Sequence, residues 1–66
     1  MTFEEYIVEV QRQRIQHKSW RLGQTYYNVL DDIRPDLNAS IVGTHGDPFY
    51  TDSNIKRYLD FVATNW

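Results

Sequence analysis

Leu22, Tyr26, Val29, Leu30 and Ile33 are spaced by four, three, one and three residues, which puts five apolar side chains on one face of a helix. This is the strongest helical period in the chain, and the rest of the fold must cover the stripe it makes. The spacing predicts a helix over about residues 20–33, capped by Ser19. Gly23 interrupts the period at a cost of about 1 kcal/mol relative to alanine, which is explained if another backbone or ring approaches closely there. Pro35 ends the helix, because proline disfavours helical geometry at Arg34.

The same period returns on both sides. Thr2 with Glu5 three residues later is a capping box, opening a helix over about residues 3–16. Phe3, Tyr6, Ile7 and Val10 form its apolar stripe, with Val8 and Ile15 off it. Glu4, Glu5 and Glu9 come early and Arg12, Arg14 and Lys18 late, the order that complements the helix dipole. Beyond Pro35, residues 36–41 suit a short third helix. Gly43, Thr44, His45, Gly46, Asp47 and Pro48 make the one clear loop, after which Phe49 and Tyr50 are expected to fold back onto the core. Asp52 or Ser53 is the expected cap of a last helix over about 54–64, where Ile55, Tyr58, Leu59, Val62 and Trp66 keep helical spacing. The predicted fold is all-α: one domain over residues 1–66, built as a compact three- or four-helix mini-bundle.

Such a chain has little surface to bury, since it has 66 residues and no cysteine to staple it. Aromatic residues, 15 % of the sequence, supply the mass a small core needs, and any surplus marks a partner surface. Seven Lys and Arg against nine acids give a net charge of −2, which leaves no global basic field and disfavours nucleic acid as a partner. No apolar run reaches the roughly 20 residues that span a bilayer, and the amino terminus has no secretion pattern. No membrane association and a cytoplasmic location are expected, and the opening methionine suggests a complete reading frame.

No pattern of catalytic residues appears. His17 and His45 are far apart and carry no zinc or triad signature. His45, Asp47 and Asp52 match no known metal spacing, and their simpler role is to hydrogen-bond a turn. Gly43 to Gly46 is too short for a phosphate loop and lacks its lysine. The expectation is no catalysis, no metal and no cofactor.

Two charged surfaces remain. Asp31, Asp32 and Asp36 gather at the end of the second helix, the unfavourable end for negative charge, and either face solvent or meet a basic patch on a partner. Arg12, Arg14, Lys18 and Arg21 are interleaved with glutamines, His17 and Trp20, a mixture that can hold phosphates and stack a base. Helical spacing would bring Arg14, Lys18 and Arg21 together. Trp20, Arg21, Phe49 and Tyr50 are a candidate aromatic and basic contact surface.

The run Ser19-Trp20-Arg21-Leu22-Gly23-Gln24-Thr25, with Asn28-Val29-Leu30 and Arg34-Pro35-Asp36-Leu37, resembles a group of small phage and prophage proteins of unassigned function. Gly43-Thr44, Asp47-Pro48-Phe49-Tyr50, Asp52, Phe61-Val62 and Asn65-Trp66 extend the likeness over about three quarters of the chain. The resemblance implies a virus-encoded protein made in a bacterium, and small proteins of that kind often bind and redirect a host protein. Three readings follow: a module that binds a host or viral protein, a nucleic-acid binder using Arg14, Lys18 and Arg21, and a homo-oligomeric structural protein whose core a second copy completes.

Overall fold

A computed structural model describes residues 1–41 and 52–66. Helix α1 (Phe3–Gln16) starts at the capping box. The Glu5 backbone N–H donates to Thr2 Oγ1 at 3.1 Å, and the Thr2 N–H donates to Glu5 Oε1 at 2.8 Å. The hydrogen bond from the Thr2 backbone, then that from its side chain, hold the Glu5 carboxyl below its ordinary value. The helix stops at His17, whose N–H still reaches Gln13 O at 2.8 Å, and the chain turns over Lys18 and Ser19 so that Trp20 N–H donates to His17 O at 3.0 Å.

Helix α2 (Leu22–Ile33) begins two residues later than its periodicity suggested, and Arg21 rather than Ser19 occupies the cap position. Arg21 supplies no side-chain cap. Asp52, 29 residues downstream, does so instead: its Oδ1 accepts the Gly23 N–H at 2.9 Å, and Arg21 Nε lies 3.7 Å from the same oxygen. The close approach anticipated at Gly23 is therefore that of a carboxylate, to a backbone with no Cβ in the way. Asp52 belongs to a 3-10 turn (Asp52–Asn54) that leads into the last helix, so it caps α2 rather than the helix that follows it. Neither Asp52 nor Ser53 holds the cap position there, which falls to Asn54.

Arg34 joins α2 to α3 (Pro35–Ile41) with no loop between them. Its N–H closes α2 on Leu30 O at 2.7 Å, and its carbonyl opens α3 by accepting from Leu37 and Asn38 at 3.1 and 3.2 Å. Pro35 takes the first position of α3, where its missing N–H has no helical partner to lose. Helix α4 (Ile55–Asn65) runs one residue further than its period implied, and Asn65 Nδ2 donates back to Phe61 O at 2.8 Å. Phe49 and Tyr50, and the loop with His45, lie outside the described residues.

Helix α2 is the hub, packing against α1, α3 and the 3-10 turn. Tyr6 and Val10 of α1, Tyr26, Val29 and Leu30 of α2, Leu37 of α3, and Tyr58 and Val62 of α4 form the core. Two polar residues, Thr25 and Asn38, are fully buried among them. Thr25 Oγ1 bonds back to Arg21 O at 2.9 Å. The Asn38 side chain takes the Tyr58 hydroxyl on Oδ1 at 2.7 Å and gives Nδ2 to Asp31 at 3.3 Å. The Tyr6 hydroxyl donates to Tyr26 O at 2.8 Å, a carbonyl that Tyr58 Oη also approaches to 3.4 Å. Every buried polar group in this cluster has its partner, the condition on which polar atoms can be kept in so small a core.

Trp66 closes the bundle. Its ring stacks on Tyr6 at 5.5 Å and meets Phe3 edge-on at 6.0 Å, while its indole N–H donates to Met1 O at 2.9 Å. The Arg34 guanidinium lies 5.3 Å from the ring centroid, bonds Trp66 O at 3.0 Å, and grips Asp36 through two further bonds of 3.0 and 3.1 Å. The molecule measures 26 × 26 × 17 Å with a radius of gyration of 10.6 Å, matching the roughly 11 Å of a compact domain this long. The four helices make an all-α mini-bundle.

Candidate functional site

The three aspartates at the end of α2 do not form one surface. Asp36 sits in the first turn of α3, the favourable end for an acid, and Arg34 neutralises it. Hydrogen bonding to Arg34 holds its carboxyl below the usual range. Asp31 turns toward α3, where Asn38 bonds it. Asp32 alone faces the other way, into a cleft between α1 and α2.

That cleft encloses about 160 Å³ and is lined by Glu9 and Gln13 of α1, by Asn28, Val29 and Asp32 of α2, and by Trp20 from the turn between them. Its volume is below the roughly 300–1,000 Å³ of small-molecule sites, which suits it to a single side chain. Two carboxylates, two amides, one aromatic ring and one aliphatic floor face it, and no cation is in its lining. Glu9 is fixed from its own helix: Arg12 grips both oxygens, Nε on Oε1 at 3.0 Å and Nη2 on Oε2, and Gln13 Nε2 bonds Oε2 at 2.8 Å. The hydrogen bonding from Arg12, then that from Gln13, holds its carboxyl below the ordinary range. Trp20 is held by the turn and by His17, which stacks on it nearly parallel at 3.9 Å and 9°. The rim of the cleft is built before any ligand arrives.

The structure thus brings Trp20 and Asp32 to one cleft, while Arg21 pairs with Asp52. The basic cluster is not gathered by a helix. Because α1 ends at Gln16, Lys18 lies in the turn and Arg21 beyond it, so the helical spacing that would align them with Arg14 does not apply. Arg12 is engaged by Glu9. Glu9, Gln13 and Asn28 were not singled out by the sequence. The only trace of them is their spacing, four residues apart within each helix, and it becomes informative only once the two helices are paired.

Among the described residues no three His, Asp or Glu side chains gather to hold a metal, and no helix is long and apolar enough to cross a membrane. The chain matches no protein family, no curated protein and no solved structure.

Proposed function

We propose that this protein works by binding another protein and performs no catalysis of its own, taking an arginine or lysine side chain of the partner into the cleft between α1 and α2. The observation that carries this reading is the lining itself: Asp32, and a Glu9 that Arg12 holds from its own helix, converge with Trp20 on a space sized for one side chain. A cation seated there gains from the Asp32 carboxylate and from the Trp20 ring, beside a Glu9 already paired with Arg12. Asp32 is exposed, so a charge pair formed there guides encounter and register more than it adds affinity. The resemblance to phage and prophage proteins supports a host or viral partner within the bacterial cytoplasm.

The test uses Trp66→Phe as background, so that Trp20 is the sole indole. A short peptide with one central arginine should change its emission saturably, weaken with added salt, and lose the effect in Asp32→Lys. An equal response to the same peptide with glutamine in place of arginine would overturn the reading. Salt-sensitive retention of DNA or RNA that fails when Arg14, Lys18 and Arg21 are replaced would favour the nucleic-acid alternative instead.

A further inference from the structure

The carboxylates of the cleft set the sign of a guest, and its flat surfaces set the guest's shape. Glu9 already has Arg12 on both oxygens and Gln13 on one, so its charge is largely answered from α1. Asp32 pairs with no cation among the described residues. One carboxylate on an exposed rim attracts an ammonium and a guanidinium about equally. Charge therefore does not choose between lysine and arginine.

The ring at the rim does choose. Trp20 follows α1 by a tight turn, its N–H bonded to His17 O at 3.0 Å, and the two rings lie 3.9 Å apart and 9° from parallel. His17 takes one face of the indole and is not part of the cleft's lining, so the face left to a guest is the opposite one. Among the described residues no second ring and no guanidinium lies on Trp20. We propose that the guest is arginine rather than lysine, its guanidinium stacked on the free indole face so that imidazole, indole and guanidinium form three layers. This rests on the cleft being the site of binding described above. A guanidinium is flat and weakly hydrated, so it gives a face to the ring and keeps its N–H donors at its edge, whereas an ammonium holds its water and meets a ring only as a point charge. The acceptors suit such an edge. Asp32 and Asn28 stand one helical turn apart on α2, and Gln13, whose amide nitrogen is committed to Glu9, has Oε1 left to accept. The His17 stack fixes the plane of the indole in advance, which reduces the ordering that binding must impose. His17 is thus a positioning residue for the guest's shape.

Isothermal titration calorimetry of the full chain, with two short peptides that differ only in a central arginine or lysine, reads the preference directly. The arginine peptide should bind about threefold to tenfold more tightly. Trp20→Leu removes the flat surface and should bring the two affinities within about twofold of each other, while Trp20→Phe, which keeps a ring, should retain part of the preference. His17→Ala should weaken binding of the arginine peptide and leave that of the lysine peptide unchanged, a difference that a merely structural role would not produce. Circular dichroism checks that each variant keeps its helices. Equal binding of the two peptides by the unaltered chain, or a preference that Trp20→Leu leaves intact, would overturn the inference while the cleft stands as a cation site. Failure of both peptides to bind would remove that site and the inference with it.

Discussion

Tyr6 and Tyr58 bring two phenols into the core and point both at the Tyr26 carbonyl, with Asn38 taking the second. Burial raises the Tyr6 pKa well above its ordinary value of 10.0, against a smaller opposing hydrogen bond from Tyr58. The folded protein therefore keeps a proton that the unfolded chain releases near 10.0. The resulting stability is complete below about pH 10 and is lost as pH rises above it. Urea titrations from pH 8 to 11.5 should show that decline, and Tyr6→Phe should flatten it while lowering stability at neutral pH by about 1 kcal/mol. Asn38→Ala should cost more, about 1–3 kcal/mol in the same titration, because it leaves the Tyr58 hydroxyl without its closest acceptor in the core. Nothing local in the sequence distinguishes Asn38 from a solvent-facing residue on a short helix. Its burial arises from the way α3 and α4 meet, which is why this residue was not legible while the hydrophobic core around it was.

The ends of the helices show the same divide between local and distant causes. Thr2 and Glu5 cap α1 over three residues, so their spacing alone announces the start. The cap of α2 comes from Asp52 across the fold, and no pattern near Arg21 foretells it. Asp52→Ala should therefore loosen the first turn of α2 rather than α4: amide exchange at Gly23 should accelerate, with a loss of about 0.5–1 kcal/mol in global stability. Arg34 offers a second case. Pro35 correctly announced a break after α2, yet the break is a single residue that ends one helix and opens the next. Arg34→Lys should lower the melting temperature nearly as much as Arg34→Ala, since an ammonium cannot grip Asp36, bond Trp66 O and cover the indole face together.

At the scale of the whole molecule the margin is narrow. A domain of 66 residues is held by about 3–10 kcal/mol. Leu30→Ala, which empties a fully buried site where α2 meets the core, should remove about 2–5 kcal/mol of that and leave a chain that is partly unfolded at 37 °C by circular dichroism. The all-α architecture was legible because three amphipathic stretches each needed cover, and Pro35 with Asp36 marked the start of a short helix between the last two. The cleft was not, because it belongs to no single stretch: Glu9 and Asp32 are 23 residues apart and become neighbours only when α1 lies along α2. One last feature bears on the chain as a string rather than as a packed body. The indole of Trp66 rests on the carbonyl of Met1, so the two ends meet. A short glycine-serine linker could join them into a ring without displacing a helix, and a ring has fewer loose conformations from which to fold, so the cyclic form should melt at a higher temperature than the open one.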